Sequence, residues 1–215
     1  MEIKIVERIL SANESVAAEN RALFAEKGVL AINVMGSPGA GKTSLIEAAI
    51  RSLRGRLSAT VIEGDIASTK DAQRIAALGV PVVQIATGGE CHLDAAMVKQ
   101  ALEQLDLVGI DILFIENVGN LVCPAEFDLG ETRRLVVSSV PEGDDKVEKY
   151  PQIFHTADAV VLNKIDLMGG SNFNLQAFRS ALGDVKPGAA FVSLSCTTDA
   201  GLSDWTDLLL SWKNP

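Results

Sequence analysis

Gly36-Ser37-Pro38-Gly39-Ala40-Gly41-Lys42-Thr43 is the stretch from which the rest of the chain can be read. Glycine, four residues, glycine, lysine and threonine stand at the spacing of a phosphate-binding P-loop, with the apolar run Val29 to Met35 before it and a helical pattern after it. Glycines let the backbone turn tightly enough for successive amides to face phosphate oxygens, and the following helix adds the positive end of its dipole. Lys42 is then placed to reach the β and γ phosphates, while the Thr43 hydroxyl, with Ser44 next to it, is placed at Mg²⁺. A glycine-rich turn with no ligand would not require strand, loop and helix in this order.

Outward from the loop, short Val- and Ile-rich runs alternate with helical stretches. The runs are Val29 to Met35, Ala59 to Ile62, Val80 to Ile85, Ile112 to Ile115, Leu135 to Val140, Ala159 to Leu162 and Ala190 to Leu194. Strands that are apolar without alternation are buried on both faces, so the pattern predicts an α/β protein of the P-loop NTPase type, a mostly parallel sheet flanked by helices. Ile5, Ile9, Val16, Leu23 and Phe24 fall at helical intervals before Gly28, which predicts an N-terminal helical extension over residues 1–28. The length of 215 residues suits a single domain. Pro124 to Arg133 and Pro141 to Tyr150, rich in acidic residues, Gly and Pro, are expected to be long surface loops around one strand.

The formal charge is −9 and the basic residues are spread along the chain, which disfavours a nucleic-acid partner. No stretch is long and apolar enough to cross a bilayer, and Met1-Glu2-Ile3-Lys4 lacks a signal-peptide pattern, so a cytoplasmic protein with no membrane partner is expected. Three cysteines cannot build a disulfide framework and are read as buried small residues, reactive thiols or metal ligands.

Asn163-Lys164-Ile165-Asp166 ends an apolar strand and resembles the guanine-specificity motif of GTPases. A carboxylate at Asp166 can accept from guanine N1 and the exocyclic amine, whereas adenine offers no such paired donors; the plainer reading is a helix cap. Ser195-Cys196-Thr197 stands where a loop amide would meet the guanine carbonyl, with Thr197 in place of the usual lysine. Asp65 follows the second strand and Glu116 ends the fourth, at the sheet edge where carboxylates hold a hydrated cation; a helix cap is the lesser reading of Asp65. Gly119 is the candidate amide for sensing a γ phosphate.

Five segments carry a more specific resemblance: Thr87-Gly88-Gly89-Glu90-Cys91-His92-Leu93, Glu116-Asn117-Val118-Gly119-Asn120-Leu121-Val122-Cys123-Pro124, Gly64-Asp65-Ile66, Glu142-Gly143-Asp144-Asp145-Lys146 and Asn163-Lys164-Ile165-Asp166. From Val29 onward the chain resembles the nickel-incorporation GTPase of [NiFe]-hydrogenase maturation, a dimerising P-loop class related to the urease accessory GTPase. The resemblance implies GTP hydrolysis to GDP and phosphate, a Ni²⁺ or Zn²⁺ site at Cys91, His92 and Cys123, a GTP-dependent homodimer, and a maturation factor or the hydrogenase large subunit as partner. It departs from some members in having no histidine-rich tract or cysteine cluster before Cys91, so nickel storage is not expected. The residues alone leave two readings of Cys91, His92 and Cys123: soft donors suited to Zn²⁺ or Ni²⁺, or half-buried thiols beside a capping histidine. Cys196 is read as a small residue of the guanine loop and His155 as structural. A urease accessory GTPase would carry a Cys-Pro-His run, and a small-molecule kinase an arginine-rich lid; neither stands here. The urease accessory GTPase, close in fold, stays the second reading, and a nucleotide-gated metal-binding module with little turnover is the other alternative.

Overall fold

Seven strands pair into one parallel sheet in the order β3-β2-β4-β1-β5-β6-β7. They are β1 (Leu30–Gly36), β2 (Ala59–Asp65), β3 (Val82–Ala86), β4 (Ile112–Glu116), β5 (Arg133–Ser139), β6 (Ala159–Asn163) and β7 (Ala190–Ser193). The computed structural model describes residues 3–66 and 68–214, with side chains from residue 11 onward. Met1, Glu2 and the side chains of Ile5 and Ile9 lie outside the described residues. Each apolar run of the sequence is a strand. Strands β1, β2, β4 and β6 are buried almost throughout, whereas the edge strand β3 is only partly covered.

Helices cover both faces. Alternate strand residues Ile32, Val34, Phe114, Val137 and Val161 pack against α2 (Lys42–Leu53) and α8 (Leu202–Lys213), with Trp205 fully buried between them. On the opposite face, Ala31, Leu113 and Ile115 meet α1 (Ile3–Lys27) and α4 (Ala95–Leu102). Beyond them Met35, Val136 and Val160 meet α6 (Pro151–Thr156) and α7 (Leu175–Val185). Complete burial of a Leu, Ile or Phe contributes about 1.5–3 kcal/mol, so these three clusters set the sheet's position.

Two loop expectations need correction. The segment before β5 is not a surface loop: Leu129 is fully buried and Glu131 is 8% exposed. Asn20 of α1 donates to the carbonyls of Leu129 (3.0 Å) and Ala95 (2.9 Å), and Asn13 donates to that of Asp128 (2.8 Å). These polar contacts pull the loop under α1. The segment after β5 contains a 3₁₀ turn, Val140–Glu142, then α5 (Lys146–Lys149), whose Val147 is buried. Strand β2 also runs three residues past Ile62, so Asp65 ends the strand instead of following it.

Candidate nucleotide cleft and metal centre

Strands β1, β2, β4 and β6 all end on one edge of the sheet, where Asp65 and Glu116, with Gly39, Gly41 and Lys164 from the loops after β1 and β6, line a cleft of about 460 Å³. Ligand sites at the carboxyl edge of a parallel sheet are the expected arrangement. Gly41, at φ +99°, caps α2 without a side chain, and a Cβ there would collide with the Asn163 amide. Asn163 in turn donates to the Ala40 carbonyl at 3.1 Å, tying β6 to the loop from Ser37 to Gly41. Lys42 folds over this loop, its Nζ 3.3 Å from the Gly36 carbonyl and 3.4 Å from that of Ser37. Burial lowers its pKa, and the nearby Glu116 carboxylate opposes that shift.

Thr43 Oγ1 donates to Glu116 Oε1 at 2.8 Å. The second oxygen of Glu116 is buried without a partner, and so is Oε2 of Glu63. Glu63 escaped the sequence reading because it follows the apolar core of β2 and looked like the start of a loop. With the strand continued to Asp65, alternation places Glu63 and Asp65 on one face. Burial first, then repulsion from Glu116, pushes the Glu63 carboxyl up to about 8. Burial likewise raises Glu116 to about 7, against the pull of Lys42. Two buried carboxylates with orphaned oxygens beside a threonine hydroxyl fit a hard divalent cation such as Mg²⁺. Asp65 is not the cap of a helix: α3 (Lys70–Ala76) begins after Thr69, while Asp65 Oδ1 accepts the Ser68 amide at 2.8 Å. Ligating oxygens of Glu63, Asp65 and Asp71 lie within 4.8 Å of one another. Arg74 also lines the cleft, its guanidinium held by Glu47 at 3.1 Å and Asp71 at 2.9 Å.

The segments Asn163 to Asp166 and Ser195 to Thr197 lie side by side. Lys164 adopts φ +61° and donates to the Gly39 carbonyl at 2.6 Å, so Asn163 and Lys164 both buttress the phosphate loop. Asp166 is exposed, inside a 3₁₀ turn (Ile165–Gly170) and not at its cap. The Cys196 amide donates to Asn163 Oδ1 at 3.3 Å, and buried Ser195 accepts the amides of Thr197 and Thr198 at 3.2 Å each. Burial of the Cys196 thiol, with Asp199 nearby, pushes it up to about 11, the behaviour of an unreactive packed cysteine. His155 faces the Val185 carbonyl at 3.1 Å, far in sequence from every candidate ligand.

Cys91, His92 and Cys123 converge from two loops. Cys91 Sγ lies 3.0 Å from Cys123 Sγ and 3.9 Å from His92 Nδ1, and all three residues are half-buried. Thiolates bound at about 2.3 Å to one tetrahedral ion stand about 3.7 Å apart, so a small opening admits a metal. The ligand loops touch the nucleotide side through Asn120. Its amide donates to the Gly36 carbonyl at 3.1 Å, and its side-chain amide donates to the Cys91 carbonyl at 3.3 Å. Gly119 packs on the phosphate loop so closely that a Cβ would stand 2.8 Å from Pro38 Cγ. A larger cleft, about 510 Å³, lies at the opposite end of the sheet among the strand beginnings, far from all of these groups.

Comparison with known proteins agrees with this arrangement. Residues 30–193 match the nucleotide-binding domain of the CobW/HypB/UreG family. The hydrogenase maturation factor HypB of Azotobacter vinelandii is 46% identical over 210 residues, covering 98% of this chain and 68% of that protein. The crystal structure of HypB from Archaeoglobus fulgidus superposes with a TM-score of 0.89 at 39% identity, covering 95% of this chain and all of that one. HypB from Helicobacter pylori, crystallised in complex with nickel, gives a TM-score of 0.90 at 39% identity, with 94% and 95% of the two chains covered. With the P-loop, the parallel sheet and near-full-length identity all in agreement, the chain belongs to the HypB hydrogenase maturation factors of the CobW/HypB/UreG nucleotide-binding family.

Proposed function

We propose that the chain is a GTP-hydrolysing metallochaperone that delivers nickel during [NiFe]-hydrogenase maturation, acting as a GTP-dependent homodimer. The observation that carries this reading is the short path between the two sites. Gly119 and Cys123 share the loop that follows Glu116, and Asn120 within it touches both Gly36 and Cys91. The nickel complex of the H. pylori relative supports nickel as the cargo of Cys91, His92 and Cys123.

In this reading the loop from Gly36 to Gly41 cradles the phosphates with its amides, and Lys42 turns from the Gly36 and Ser37 carbonyls to the β and γ phosphates. Thr43, Glu63, Asp65 and Glu116 hold Mg²⁺, which when bound neutralises phosphate charge. Asp166 reads the guanine edge, and the Cys196 amide, beside Ser195, completes the base pocket. Gly119 faces the γ phosphate, so its loss on hydrolysis releases the loop that carries Cys123. Three protein ligands leave a tetrahedral ion incomplete, which favours completion by a second copy. Val122, 55% exposed beside Cys123, offers that copy an apolar contact. Delivery then passes the ion to a maturation factor or the hydrogenase large subunit.

Steady-state phosphate release tests the enzyme assignment. GTP should be turned over at roughly 10⁻⁴ to 10⁻² s⁻¹, the range of unassisted GTPases. ATP should not be, and Lys42→Ala should abolish release while the thermal midpoint stays put. Equal release from ATP, or normal release from folded Lys42→Ala, contradicts the assignment.

A further inference from the structure

The Phe127 ring lies flat on the His92 imidazole, with centroids 3.9 Å apart and planes 27° apart. The loop holding that ring is clamped from the core. Arg134 donates to the carbonyls of Phe127 at 3.3 Å and Ala125 at 3.4 Å, and its Nε donates to Glu131 at 2.6 Å. Buried Glu131 also accepts the Leu129 amide at 2.7 Å and the Asn33 side chain at 3.3 Å. Asn33 accepts from Asn117 at 3.2 Å, and Asn117 accepts the Leu93 amide at 3.0 Å. One polar network thus fixes both the ring over His92 and the backbone that follows His92.

A metal-ligating histidine is ordinarily oriented by a hydrogen bond from its other ring nitrogen to a carboxylate, a carbonyl or water. Among the described residues, neither ring nitrogen of His92 has a carboxylate or carbonyl partner; its polar neighbours are the thiols of Cys91, at 3.9 Å from Nδ1, and Cys123. The contact that lies on the face of the imidazole is the aromatic ring of Phe127. We propose that Phe127 is a positioning residue of the metal centre, holding the His92 imidazole in the orientation from which it ligates together with Cys91 and Cys123. The proposal rests on reading these three residues as metal ligands.

The test is Ni²⁺ affinity of the full chain, measured by competition with a chromophoric chelator. It uses wild type, Phe127→Leu, Phe127→Met and Phe127→Tyr, each with His92 intact and in the His92→Ala background. Leu and Met keep an apolar side chain at a half-buried position, so the fold has two chances to tolerate loss of the ring. Both should weaken Ni²⁺ binding about tenfold, the lower end of the range for residues that orient a ligand. Phe127→Tyr, which keeps the aromatic face, should bind as wild type does. In the His92→Ala background the Leu and Met changes should cost nothing further, because the contact acts through His92. An equal loss with and without His92 assigns Phe127 to general loop packing and overturns the proposal, as does unchanged affinity in Phe127→Leu. Absence of Ni²⁺ binding by wild type overturns the metal-site reading itself.

Discussion

Glu63 and Glu116 give the cleft its electrostatic character, and their pH dependence has a definite sign. Both carboxyls are raised above 4.5 in the folded chain, to about 8 and about 7. Between 4.5 and these values the unfolded state gives up protons that the folded state keeps, so folding stability falls as pH rises through that window and levels off above it. Urea unfolding of the ligand-free protein from about pH 5 to about pH 8 should show this decline, and Glu63→Gln should flatten it. A stability that climbs with pH, or an unchanged slope in the variant, would mean that the burial of Glu63 is misread. In the proposed function Asp166 is the residue on which base choice turns. Asp166→Asn replaces one acceptor with a donor that faces guanine N1, and GTP affinity should drop about 10- to 100-fold with ATP unaffected. Calorimetric titration of both nucleotides decides this. The P-loop was legible because its chemistry needs fixed residue types at fixed spacing. Glu63 was not, because a carboxylate buried at a strand end looks in sequence like the first residue of a loop. Phe127 was not either, since nothing in a sequence says that a phenylalanine will lie on an imidazole 35 positions earlier.

At the scale of elements, all seven strands could be located because a doubly covered parallel sheet demands unbroken apolar runs, and β1 and β4 are buried from end to end. Their ends were less legible. β2 carries on through Glu63, Gly64 and Asp65, where pairing with β3 and not apolarity maintains the strand. The loop before β5 was misread for a related reason. It is held by polar side chains, Asn13, Asn20 and Arg134, that lie elsewhere in the chain and leave no local periodic signal. Asn20 is the sharpest test of that account. It is 2% exposed and satisfies two carbonyls at once. Asn20→Ala should destabilise the fold by about 1–3 kcal/mol, the penalty for buried polar groups left unpaired. Chemical denaturation measures it, and a loss within error of zero would show that the segment is not held through Asn20.

At the scale of the whole molecule, the strand order brings two chemistries to one edge. The central strands deliver the phosphate loop and Glu116, and the loop continuing from Glu116 carries Cys123 to Cys91 and His92. A shift of Gly119 on losing a γ phosphate would therefore reach the metal ligands within four residues, and linkage requires metal to change nucleotide affinity by the same factor. Thiols must lose their protons to bind as thiolates, so metal affinity should also weaken as pH falls. The measurement that bears most directly on this coupling is sedimentation together with Ni²⁺ titration of the wild-type chain, once with GDP and once with a non-hydrolysable GTP analogue. The account predicts a dimer and tighter Ni²⁺ binding with the analogue, a looser assembly with GDP, and loss of the metal response in Cys91→Ala. The same assembly state and the same Ni²⁺ affinity with both nucleotides would contradict it.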